Sequence, residues 1–118
     1  MIELRKNPRA NVTWRAALEL EDGNAIPLKV VNISRAGFLF QSPIALEANK
    51  SYRLMMEIPS IDQSSSMRYQ VPCKVMLLHI RLSGDWYQVG ARLTEISNLH
   101  QNLFDAWLSI TARFDQLD

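Results

Sequence analysis

From residue 12 to residue 20 the chain alternates, with Val12, Trp14, Ala16, Leu18 and Leu20 on one side and Thr13, Arg15 and Glu19 on the other. A period of two predicts a half-buried strand. Glu21-Asp22-Gly23-Asn24 follows, and Asp-Gly is a strong hairpin signal, so residues 26–33 are expected to return antiparallel as a second strand. Ser34 to Gly37 interrupts the pattern before Phe38-Leu39-Phe40 resumes it. A glycine between two apolar runs points to a positive φ or a close approach of the backbone to something. Residues 41–50 read as a connection, and residues 51–58 alternate again with Tyr52, Leu54, Met56 and Ile58 inward. The polar, serine-rich stretch from Pro59 to Ser66 is expected to be a loop.

Residues 67–83 form the longest strand candidate. Tyr69, Val71, Cys73, Val75 and Leu77 share one face, after which Leu78, Ile80 and Leu82 take over, so a bulge or a strongly bent strand is expected near Leu77. Ser83-Gly84-Asp85 turns the chain into residues 86–95, where Tyr87, Val89, Ala91 and Leu93 alternate with polar positions. The period then changes. Leu99, Leu103, Phe104, Trp107, Leu108, Thr111 and Phe114 recur at three and four, one face of a helix over residues 97–115, with Ser97 or Asn98 as N-cap. Six short strands and one helix predict a mainly β fold, a six-stranded antiparallel β-barrel with a C-terminal α-helix.

At 118 residues there is room for one domain, residues 1–118, with a barrel over 11–96. With 47% hydrophobic and 21% charged residues the chain is of ordinary globular composition, which argues against disorder. Apolar runs as short as Val75-Met76-Leu77-Leu78 are far below what a membrane span needs, and no signal-peptide pattern follows Met1. Cys73 is the lone cysteine, excluding an internal disulfide and a multi-cysteine metal site, and is expected inside the barrel. A cytoplasmic setting is expected. Trp14, Trp107 and the Met55-Met56 pair follow core spacing.

Charge is unevenly placed: across positions 1–15, Arg5, Lys6, Arg9 and Arg15 face Glu3 alone, while the remainder is mildly acidic. A basic arm over residues 1–10 suits an anionic partner, but no basic stripe continues it, so nucleic acid is not expected. Catalysis is not expected either. His79 and His100 have no nucleophile paired with them in the sequence and read as structural or surface residues, and HExxH, GxSxG and phosphate-loop motifs are missing. No metal or cofactor is called for.

Two clusters carry the candidate chemistry. Arg5 and Arg9 stand four apart around Pro8, which keeps Asn7 out of helical geometry. Asn32, Ser34 and Gly37 lie at a strand end, separated from Arg9 by residues 10–31. Guanidinium forks grip phosphates and meet guanine. Asn32 offers an acceptor and two donors, Ser34 a hydroxyl, and Gly37 room for a flat ring. Together they suit an anionic, guanine-bearing small molecule.

In this arrangement the chain resembles the PilZ domain family, bacterial receptors for cyclic di-GMP. The family signature, RxxxR followed by [D/N]xSxxG, is met by Arg5 and Arg9 and by Asn32, Ser34 and Gly37. Val89-Gly90-Ala91-Arg92-Leu93 resembles the family's glycine-centred late strand, with Leu93 where phenylalanine is common. The resemblance implies a PilZ-type split barrel and a flexible arginine arm that folds over the ligand, bound singly or as an intercalated pair. It also implies signalling to an effector protein without membrane insertion, in processes such as biofilm formation or motility. Asn32 in place of the commoner aspartate implies weaker binding. Leu4 and Lys6 beside the first motif, with Arg35, Arg92 and Trp86, are candidate extra contacts; Trp86 suits packing equally well. A PilZ-fold adaptor that binds no ligand is the alternative.

Overall fold

The computed structural model describes residues 9–59 and 68–116, with side chains through residue 110. The arm ahead of Arg9, the loop expected after Pro59 and the side chains of Thr111 and Phe114 lie outside the described residues. Six strands follow in order: β1 (Ala10–Glu19), β2 (Ala25–Ile33), β3 (Gly37–Ser42), β4 (Ser51–Pro59), β5 (Arg68–Ser83) and β6 (Trp86–Ile96), then α1 (Asn98–Gln116). They close into an antiparallel barrel in the order β1-β2-β3-β6-β5-β4. The seam is the β1–β4 ladder, from Arg15↔Glu57 to Glu19↔Arg53. Closure removes the free edges that an open six-stranded sheet would expose.

Alternation fills the barrel. Trp14, Ala16 and Leu18 of β1, Leu28 and Val30 of β2, Leu54, Met56 and Ile58 of β4, and Val71, Val75 and Val89 are buried in one cluster. Met55 points outward and is 39% exposed, so only one member of the Met55-Met56 pair packs in the core. Tyr69, also 39% exposed, lies near the outer end of β5 and does not share the burial of Val71 and Cys73.

The change of phase in β5 has a definite origin. Leu77 pairs with Ala91 and His79 with Gly90, so Leu78 is the extra residue of a bulge. Beyond it Ile80 faces the interior opposite Val89, as the period change predicts, but Leu78 itself is 47% exposed. Leu82 is 63% exposed because the β4 partner ends at Met76 and the β5–β6 ribbon runs on past the barrel.

Ser97 caps α1: its Oγ accepts the His100 N–H at 3.3 Å, and its carbonyl accepts the Gln101 N–H. Phe104 and Leu108 are buried, whereas Leu99 is 77% exposed because it precedes the turns that touch the barrel. The helix closes one barrel end through two edge-to-face ring pairs, Phe38–Phe104 at 5.4 Å and Trp14–Trp107 at 5.7 Å. The Trp107 indole N–H donates to the Pro59 carbonyl at 2.8 Å, satisfying its one polar group. Thus the helix end of the barrel is the end at which β2 turns into β3.

Cys73 packs inside, and burial pushes its thiol up to about 12 from an ordinary value of 9.0. Folding therefore holds the proton on. The folded form binds more protons than the unfolded one between those two values, so stability declines as pH rises above about 9. At pH 8, alkylation of Cys73 by iodoacetamide is expected to run at least a hundredfold slower in the native protein than in urea. Comparable rates would show that the barrel does not enclose the thiol.

Candidate functional site

The hairpin joining β2 to β3 is built by Ser34. Its N–H donates to the Gly37 carbonyl at 2.9 Å, and its hydroxyl donates to the same oxygen while accepting the Gly37 N–H, both at 3.3 Å. The Leu93 N–H donates to the Ala36 carbonyl, tying the turn to β6. Gly37 is the place where β3 and β6 approach. A Cβ there would overlap the Ala91 carbonyl oxygen and lie 3.0 Å from the Arg92 Cα. The glycine is therefore required by strand packing, with no positive φ, and the volume beside it is filled by β6 backbone rather than left open for a ring.

Register brings the first cluster's second arginine to this hairpin. Ala10 pairs with Ile33 and Asn11 with Asn32, so Arg9 stands beside Ser34 at the strand ends. Arg9 is exposed and has no ion-pair partner among the described residues. Asn32 is half-buried; its amide donates to Asn11 Oδ1 at 3.0 Å, which holds the side chain while its own Oδ1 keeps no partner among the described residues. Arg5, Leu4 and Lys6 lie outside the described residues.

The outer face of β2, β3, β6 and β5 extends this corner as lateral rows. Asn32 pairs with Leu39, Leu39 with Gly90 and Gly90 with His79. The next row runs Lys29, Gln41, Gln88, Arg81, with Arg81 donating to Gln88 Oε1 at 2.8 Å. On the other side Gly37 pairs with Arg92 and Arg92 with Met76. The charged side chains of these three rows are Lys29, Arg81 and Arg92, all cationic. Such a face attracts an anion, and half-buried Leu39 at its centre offers an apolar seat.

Arg35 reaches away from this face: its Nε is 3.4 Å from Asp105 of α1, which also accepts from Gln101 at 3.0 Å. The Arg35 side chain is 65% exposed, so the pair contributes little and is readily exchanged for another anion. Trp86 is 48% exposed and stands apart from the corner. It lies at the far end of β6 from Arg92, a separation of roughly 20 Å along an extended strand. Leu39, Lys29, Gln41, Gln88, His79 and Arg81 were not evident as site residues in the sequence. Strand alternation marks some of them as outward, but which strands are neighbours is a property of the closed barrel.

Two clefts lie elsewhere. One of about 600 Å³ is lined by Ala17, Met55, Pro72 and Lys74 among others, and one of about 250 Å³ by Arg15, Glu57 and Arg68 among others; neither includes a residue of the two motifs. Cys73 lines the larger one, and Lys50, held protonated more firmly by its hydrogen bond with Glu21, stands just ahead of β4, away from the motif corner. Among the described residues no cluster of His, Cys, Asp and Glu could hold a metal, and no helix is long and apolar enough to cross a membrane. The motif corner is an open cationic sheet face, with nothing among the described residues beneath it arranged for acid–base chemistry.

The PilZ domain profile matches residues 3–109. In three dimensions the chain is similar to the Bacillus subtilis inhibitor of motility MotI/DgrA, at 17% identity and a TM-score of 0.77, over 99% of this chain and 54% of that one. It is similar to the PilZ domain of Escherichia coli YcgR solved with c-di-GMP, at 11% identity and a TM-score of 0.69, over 97% of this chain and 95% of that one. It is also similar to K. pneumonia MrkH in its c-di-GMP complex, at 10% identity and a TM-score of 0.69, over 100% of this chain and 56% of that one. The chain thus spans about half of the MotI/DgrA and MrkH chains. No curated protein matches it by sequence.

Proposed function

This chain belongs to the PilZ domain family, and we propose that it is a receptor for cyclic di-GMP that passes the binding event to a partner protein and catalyses nothing itself. The observation carrying the reading is the corner at which Arg9, Asn32 and Ser34 meet beside a face whose charges are all cationic. Arg9 presents its fork to a phosphodiester, Asn32 a fixed amide to a guanine edge, and Leu39 an apolar surface to the base. Recognition on an open face needs a second wall. The segment carrying Arg5, Lys6 and Leu4 supplies it by folding over the bound ligand, its ordering cost offset by contacts with phosphate.

The partner-facing half of the reading is supported at the far end of the ribbon. Leu82 and Trp86 are 63% and 48% exposed there, on opposite faces of the ribbon and beyond the reach of the motif corner. The same ribbon end would serve an adaptor that binds no nucleotide. Calorimetric titration separates the two: cyclic di-GMP is expected to bind at micromolar or tighter concentration, with affinity falling as salt rises. A flat titration on folded protein favours the adaptor. A cytoplasmic setting is consistent with the single, free Cys73.

A further inference from the structure

A Cβ at Gly90 would overlap Cε1 and Nε2 of His79 and lie 3.0 Å from its Nδ1. The imidazole therefore occupies the volume that a side chain at residue 90 would fill, on the outer face of the sheet. The bulge at Leu78 is what puts it there. Simple alternation from buried Leu77 would aim residue 79 into the core, and the extra residue turns it outward. The ring is thereby laid on the row that runs through Gly90 and Leu39 to Asn32.

His79 is exposed, and neither of its ring nitrogens has a hydrogen-bond partner among the described residues. Its surroundings on the face are Gly90 and Leu39 across the row, Arg81 bonded to Gln88 on one side, and Arg92 opposite Met76 on the other. Three inter-strand steps of about 4.8 Å separate the Asn32 and His79 backbones by roughly 14 Å. The Asn32 amide group is turned to Asn11 on β1, the His79 ring lies over Gly90, and half-buried Leu39 is the row position between them.

At one end Asn32 Oδ1 is an acceptor without a partner among the described residues; at the other a neutral imidazole offers one N–H donor and one acceptor nitrogen, and a protonated one offers two donors. Guanine suits both ends: its N1–H and amino group donate along one edge, and O6 and N7 accept along another. Adenine presents an amino donor where guanine has O6. Resting on the reading of this face as a cyclic di-GMP site, we propose that His79 contacts the ligand, donating an imidazole N–H to the O6/N7 edge of a guanine seated over Leu39 opposite Asn32. It would thus help to select guanine over adenine.

The test is NMR of the two imidazole rings during titration with cyclic di-GMP. His100, whose Nδ1 is 2.8 Å from Ser97 Oγ at the start of α1, is the internal reference. The His79 ring signals are expected to move along the calorimetric isotherm while those of His100 stay. His79→Phe keeps a ring over Gly90 but has no N–H, so it is expected to bind cyclic di-GMP about five- to tenfold more weakly with an unchanged melting temperature. His79→Gln, which restores a donor, is expected to recover part of that loss, and the preference over cyclic di-AMP should narrow in the phenylalanine variant. Saturation with the His79 ring unmoved, or full affinity in His79→Phe, overturns the assignment while leaving the receptor reading intact. Absence of any binding by the wild-type protein overturns both.

Discussion

Arg9→Ala is expected to weaken cyclic di-GMP binding by roughly ten- to a hundredfold while leaving the melting temperature within a degree or two. The first half follows from what the guanidinium would lose: charge-assisted contacts to a phosphodiester, each stabilising by about 1.5–3 kcal/mol. The second half follows from its position. Arg9 is exposed just ahead of β1 and pairs with no acid among the described residues. Such surface replacements change stability by about 0.5 kcal/mol or less. Arg9→Lys should restore only part of the affinity, since a point charge cannot reproduce the bidentate fork. Isothermal titration of the three proteins at fixed salt checks this. Equal affinities would remove Arg9 from the site.

Gly37→Ala separates two explanations of the same motif residue. If the glycine merely made room for a base, the variant would fold normally and fail to bind. The packing gives the other outcome, because the new methyl would run into the Ala91 carbonyl, where its nearest neighbours are β6 backbone rather than a flexible side chain that could yield. Separating β3 from β6 would strain the Gly37↔Arg92 pairing and the Leu93-to-Ala36 hydrogen bond together. We expect a loss of about 3 kcal/mol and a fall in melting temperature on the order of 10 °C, with weakened binding as a consequence of the disturbed face. Thermal unfolding followed by circular dichroism reads this directly. A variant with wild-type stability but no binding would return Gly37 to a role in admitting the ligand.

These expectations show how the two motifs divide their labour. Ser34 and Gly37 build the hairpin: the hydroxyl and N–H of Ser34 close the turn, and Gly37 permits the adjoining strand. Arg9 and Asn32 face outward from that scaffold with hydrogen-bonding capacity left over among the described residues. A sequence motif thus mixes residues that meet the ligand with residues that shape the corner, and spacing alone does not distinguish them.

The alternation of apolar residues was sufficient to place six strands, the terminal helix and the break of phase beside Leu77, because side-chain direction in a strand reverses at every residue and burial follows from it. The same local rule marked the core of β4 correctly, and residue type narrowed the cap to Ser97 or Asn98, of which the structure uses Ser97. The two charged and polar clusters were also legible, since guanidinium, amide and hydroxyl groups carry their chemistry wherever they sit. Local rules failed where an element outran its partners, as at Leu82, Tyr69 and Leu99: an inward phase buries a side chain only if another layer covers it. The row from Asn32 through Leu39 and Gly90 to His79 was decided by which strands become neighbours, above all the non-consecutive β3 and β6. It joins residues 32, 39, 90 and 79 through β3–β6 and β5–β6 pairings whose register no local periodicity contains. Which atoms fill the space beside Gly37 and Gly90 is likewise a property of neighbouring strands, because a missing side chain acquires meaning only from what packs against it.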